Sequence, residues 1–170
     1  MRKFPVLISA FLFIPIVLSA KAECVPTPDR SPGMHYKPIT QYKQNTGKGL
    51  RFSGYVRAAG DCKGIEGAKV GHWQANSKGL YDDDLRAFVL SGKLGKYSFN
   101  TELPAPSEGR PPHIYFIVIA KGYKTLITRW DSIELKVGQA GLDLVLQPEN
   151  MAGEGSSRAV VPAQAPEKNN

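Results

Sequence analysis

The stretch RPPHIYF, residues 110–116, sets two side chains with metal-binding chemistry two positions apart. On a strand, residues i and i+2 face the same way, so His113 and Tyr115 project together while Ile114 and Phe116 face away. Imidazole nitrogen and phenolate oxygen both serve as donors to iron. Each residue also has a plainer role, His113 as a hydrogen-bonded structural histidine and Tyr115 as a packing residue on a strand. The other histidines are His35 and His72. Alternation puts Val70, His72 and Gln74 on one face of a strand and Gly71 and Trp73 on the other, which makes His72 a core or surface residue. His35 reaches a metal only if its segment folds over the site. No spacing supports a copper-type site built from His113 with His72 or His35. Asp82, Asp83 and Asp84 read as a solvated acidic turn, because a calcium loop needs ligands at alternating positions and a glycine.

The elements that must position these groups are short and β-rich. LRFSGYV, AKVGHWQA, KYSFNTEL, HIYFIVIA, YKTLITRW and LDLVLQ are separated by Gly, Pro, Asp and Ser at intervals typical of an all-β sandwich. No stretch has convincing helical spacing. The sequence predicts one β-sandwich domain over residues 48–149, in which both sheets bury alternate side chains. Residues 23–47 form a proline-rich extended arm, and residues 150–170, rich in Gly, Ser, Pro, Ala and charge, are expected to be disordered.

The first 22 residues place Arg2 and Lys3 ahead of a long apolar run that ends in Ala20, Lys21 and Ala22. This is the pattern of a secretory signal peptide, and the alternative is an uncleaved membrane anchor. With cleavage after Ala22 the chain is expected to be secreted or periplasmic, with no further membrane contact. Cleavage also removes three cations and lowers the net charge from +7 to +4. The remaining Lys and Arg are scattered among acidic residues, which excludes a nucleic-acid-binding stripe. Cys24 and Cys62 are an even pair in an exported chain and predict a disulfide; two free thiols are the alternative.

Three segments in order, GYVRAAGDCKGIEGAKVGHWQANSKGLY, GKYSFNTELPAPSEGRPPHIYF and KTLITRW, resemble the intradiol ring-cleavage dioxygenases, the catechol and protocatechuate enzymes. The resemblance covers roughly residues 50–130 and is most specific in WQANSKGLY, with CVPTPDRSPGMHY similar to the arm that precedes the family's core. It implies a β-sandwich of the intradiol dioxygenase core type, non-haem Fe(III) as cofactor and a small catecholic aromatic substrate. Of the family's four ferric ligands, the first tyrosine falls on Tyr81 and the first histidine on His113. The second tyrosine position holds Ser107 and the second histidine position holds Tyr115, itself a possible ligand. The arginine that stabilises the electron-rich substrate falls on Arg110. A glutamine of the family is replaced by Arg129, a cation that would repel a metal and attract an anion, or else a solvated strand residue. The resemblance therefore implies that Tyr81, His113 and Tyr115 converge as metal ligands, with Arg110 at the rim and Ser107 across the site. Two outcomes stay open. One is a divergent dioxygenase. The other is a non-catalytic exported sandwich that binds without the metal, because the Gly54, Val56, Gly67, Ala68, Val70, Gly95, Tyr97, Phe99 pattern also occurs in transthyretin-like and carboxypeptidase-regulatory-type sandwiches.

Overall fold

Alternating burial along the strands builds the core. In Gly49–Ala58 (β1), Leu50, Phe52 and Val56 are buried on one face. Seven further strands follow in chain order: Lys69–Ala75 (β2), Tyr81–Leu90 (β3), Lys96–Glu102 (β4), His113–Ile119 (β5), Leu126–Asp131 (β6), Gly138–Gly141 (β7) and Leu144–Leu146 (β8). They come from a computed structural model that describes residues 23–132 and 138–149. The signal peptide and the tail expected from the sequence lie outside the described residues.

Two sheets face each other. One has the order β4-β1-β7, with β8 also paired to β1; the other has the order β3-β2-β5-β6. Between them pack Phe52, Tyr97, Phe99, Leu144 and Leu146 from the first sheet and Val70, Val89, Ile114, Phe116 and Val118 from the second. A 3₁₀ turn at Lys93–Gly95 leads into β4. The architecture is the all-β sandwich expected from the sequence.

His72 faces this core, stacked on Phe99 at 3.8 Å with the rings 5° from parallel. It is completely buried, and neither ring nitrogen has a hydrogen-bond partner. Burial disfavours the imidazolium and pushes its pKa down to about 3. It lies on the opposite face of the sheet from His113, which rules out a shared metal.

The acidic run 82–84 is the start of β3 and not a turn, with all three carboxylates exposed. β3 is an edge strand, so its outward positions tolerate charge. Arm residues balance two of these carboxylates, Lys37 on Asp83 and Lys43 on Asp84. The glycine-rich β7 also escapes the sequence pattern, because GQAG has no apolar alternation and forms only by pairing parallel to β1.

The arm is extended, as its prolines require, but it is tied down along its length. The Cys24–Cys62 disulfide holds its start. Thr27 N donates to Val145 O, Arg30 N to Ile127 O and Phe88 N to Gln41 O, so the arm crosses from β8 and β6 to β3. Ile39 fills the space above Gly71, where an added methyl group would come within 2.8 Å of both Ile39 and Ile117. With the arm on its outer face, β5 is buried on both sides, as its run of four buried residues His113–Phe116 records.

Candidate functional site

The covered outer face of the β3-β2-β5-β6 sheet contains the candidate residues, in two rows set by register. In the first row Tyr81 of β3 pairs with Ala75 of β2, and His113 of β5 pairs with Asp131 of β6. Because Ala75 ends in a methyl group, the longer side chains on either side can meet above it. Tyr81 Oη and His113 Nε2 are 2.8 Å apart. His113 Nδ1 lies 2.8 Å from the Pro111 carbonyl, which can only accept, so the neutral ring carries its proton on Nδ1. Nε2 is then the acceptor of the Tyr81 hydroxyl.

The second row is Arg86, Trp73, Tyr115 and Arg129, directly opposite one another across the four strands. Trp73 and Tyr115 stack at 5.2 Å with a 10° tilt, and a guanidinium caps each end: Arg86 is 6.0 Å from the Trp73 ring and Arg129 is 5.7 Å from the Tyr115 ring. Both aromatic rings are at most 2% exposed. The Tyr115 ring meets His113 edge-on at 5.1 Å. Its hydroxyl runs on beneath the arm, where a methyl group added at Gly33 would lie 2.8 Å from it.

The arm and the β4–β5 loop close the site. His35 stacks on Tyr81 at 4.0 Å, and Tyr36 meets Trp73 edge-on at 5.5 Å. Arg86 donates to the His35 carbonyl at 2.8 Å. Ser107 and Arg110 exchange backbone hydrogen bonds around Glu108 and Gly109, both at positive φ. That tight turn aims the Glu108 carboxylate at Arg110 (2.7 Å) on one side and His35 (3.0 Å) on the other. Ser107 Oγ is buried with no partner at bonding distance, yet it lies close enough to Tyr81 to favour the ionised phenol. Burial outweighs this and pushes the Tyr81 pKa up to about 12; Glu108 and Tyr115 raise it further, while Arg110 opposes them.

The structure thus brings Tyr81 and His113 into contact, sets Ser107 and Arg110 near the Tyr81 hydroxyl, and places Tyr115 against His113 with its hydroxyl directed elsewhere. His35 reaches the site because its segment folds over it, and Trp73, Glu108 and Ala75 join the site as residues to which the sequence assigned no role there. Glu108-Gly109 ahead of RPP is a turn signal that points to Glu108.

No family model matches the chain. Curated relatives do match over parts of it. Hydroxyquinol 1,2-dioxygenase of Rhizobium sp. is 31% identical over 91 residues, 38% of this chain and 31% of that protein. 6-Chlorohydroxyquinol 1,2-dioxygenase of Cupriavidus pinatubonensis is 32% identical over 111 residues, 49% and 40% of the two chains. The matched segment therefore spans about a third of the first relative's length and two-fifths of the second's. The dioxygenase domain of a dioxygenase and carbohydrate-binding fusion from Streptomyces sp. SirexAA-E superposes with a TM-score of 0.66 at 25% identity, over 73% of this chain and 99% of that one. An intradiol ring-cleavage dioxygenase from Tetranychus urticae shares the fold, with a TM-score of 0.64 at 17% identity over 74% and 96%.

In fold and over part of its sequence the chain is similar to the intradiol ring-cleavage dioxygenases. The family typically uses Fe(III) and acts on catecholic aromatics. In this intradiol-type chain the donor set fits such an ion at two positions. Two atoms bound to one first-row ion at about 2.0–2.1 Å lie about 2.9 Å apart at a right angle, close to the 2.8 Å between Tyr81 Oη and His113 Nε2. The Nδ1 contact to Pro111 is the kind of outer-shell bond that orients a ligating imidazole. At the other two family positions, Ser107 offers a neutral hydroxyl, and the phenol of Tyr115 extends past the point an imidazole would reach. Among the described residues no group of three or more His, Cys, Asp or Glu side chains is placed to hold a metal, so any site relies on tyrosine.

Proposed function

We propose that this intradiol-type chain holds Fe(III) through Tyr81 and His113, with Tyr115 as a third donor, and takes a catecholic compound beside them. The observation that supports the reading is the 2.8 Å contact between the Tyr81 hydroxyl and a His113 nitrogen whose lone pair is kept free by Pro111. Bound there, the ion would supply an electron-poor centre able to draw electron density from a catecholate. The protein's own groups have separate tasks. Without the ion His113 Nε2 accepts a hydrogen bond from the Tyr81 hydroxyl, and loss of that proton to solvent would leave both atoms able to hold the ion; Arg110 at the rim favours negative charge on Tyr81 and on an electron-rich ligand, and the Trp73–Tyr115 stack forms a dry aromatic floor. Arm residues Gly33–Tyr36 exclude water from above. We propose further that residues 48–149 are the working domain and that the chain acts in a secreted or periplasmic setting, which the Cys24–Cys62 bond supports.

A second reading, a metal-free binding module on the same site, is favoured by Ser107 and by the Tyr115 hydroxyl lying at Gly33. Ferric titration of the purified chain separates the two. The first reading expects an intense visible phenolate-to-iron band that Tyr81→Phe abolishes and Tyr115→Phe shifts. A colourless protein that still binds pyrocatechol, read by quenching of tryptophan fluorescence, would leave only the second.

A further inference from the structure

We propose that a cavity between the arm and β3 is a binding site for a small carboxylate, with the buried guanidinium of Arg86 as its principal donor. The cavity has a volume of about 140 Å³ and is lined by Lys37, Thr40 and Gln41 of the arm and by Asp83 and Arg86 of β3. Neither Tyr81 nor His113 lines it. Of the lining residues only Arg86 is buried, with a side chain 7% exposed, so it forms the inner wall. Lys37 and Asp83, 61% and 68% exposed, stand at the mouth. The donors of Arg86 are only partly used. Its Nη2 donates to the His35 carbonyl at 2.8 Å. Nε and Nη1 are buried and have no hydrogen-bond partner, although Asp83 Oδ1 stands 3.6 Å from Nε.

A guanidinium carries five N–H donors and cannot shed its charge, so burying two of its nitrogens without acceptors is costly. An acceptor that enters the cavity beside Arg86 offsets that cost. A carboxylate does so best, because a charge-assisted hydrogen bond is about twice as strong as a neutral one. Charge complementarity points the same way. Lys37 Nζ holds both Asp83 oxygens at 2.9 Å, so that pair is neutral and the charge of Arg86 is the excess. One excess positive charge matches a monoanion, whereas a phosphate dianion would overcompensate it and face Asp83 as well. Thr40 and Gln41 carry further donors, a hydroxyl and an amide.

The test is an NMR titration of the nitrogen-labelled full chain with sodium acetate at neutral pH, with ionic strength held constant by sodium chloride. The Arg86 Nε–H signal, assigned by its loss in Arg86→Lys, is the readout. Acetate is expected to shift that signal along a saturable curve with a millimolar dissociation constant. Asp83→Asn takes the partner from Lys37 and doubles the excess charge, so it should tighten binding severalfold. Lys37→Met leaves Asp83 uncompensated beside Arg86 and should weaken binding severalfold. Both residues are exposed, so the fold tolerates either change. The phosphate dianion should bind more weakly than acetate. A shift that does not saturate, a shift that chloride alone reproduces, or equal affinities in the unaltered chain and both variants would overturn the site. Tighter binding of phosphate than of acetate would overturn its assignment to carboxylates.

Discussion

Gly33→Ala probes the coupling between the arm and Tyr115. Gly33 has φ +73°, and a methyl group there would meet Tyr115 Oη at 2.8 Å and Cζ at 3.1 Å. The left-handed backbone costs an alanine about 1–2 kcal/mol. The contact adds a second term, because Tyr115 has no room to yield: it is 2% exposed and stacked on Trp73, with Arg129 at its other side. Overpacking of this kind costs about 1–3 kcal/mol, which gives a total near 2–5 kcal/mol. Tyr115→Phe removes the hydroxyl and most of the second term, while the backbone term stays. The expected coupling in a double-mutant cycle is therefore about 1–3 kcal/mol. Urea unfolding of the four proteins measures it directly. Additivity within about 0.5 kcal/mol would refute the packing of the arm on Tyr115.

Further expectations concern titration and the disulfide. His72 has its folded pKa depressed to about 3, so its contribution to stability is full above pH 6.5 and is lost as the pH falls toward 3. At 1.36 kcal/mol per unit, the chain should lose about 2 kcal/mol more than His72→Leu between pH 6.5 and 5 in urea melts; parallel curves would contradict this. Tyr81 has the opposite sign, with stability intact below pH 10 and lost as the pH rises through about 12. The ultraviolet phenolate difference between the metal-free chain and Tyr81→Phe should accordingly appear near pH 12, and a transition near 10 would contradict the burial of Tyr81. Replacing Cys24 and Cys62 by serine opens a loop of 38 residues and should cost about 4 kcal/mol on the chain-entropy account, measured as the shift in unfolding free energy.

Local rules carried far in this chain. Period-two alternation put His113 and Tyr115 on one face of their strand and His72 on the face of its own strand opposite Trp73, because side-chain direction along a strand depends on nothing beyond the strand itself. That His72 and His113 lie on opposite faces of the sheet follows from the β2–β5 register. An even pair of cysteines predicted the Cys24–Cys62 bond, and the spacing of short apolar runs predicted the sandwich. What a linear pattern does not contain is the order and register of strands and the path of an irregular segment. The contact between Tyr81 and His113 exists because β2 lies between β3 and β5 and presents Ala75 beneath them. Tyr115 points to Gly33 and packs with Arg129 because the arm crosses that face and β6 lies beside β5 in one particular register. The same crossing stacks His35 on Tyr81 and buries β5 on both sides, and the edge position of β3 makes a strand of three aspartates that alone resemble a turn. These contacts join residues 14 to 82 positions apart, and only the packed tertiary structure, which sets strand order and register and the path of the arm, selects among them.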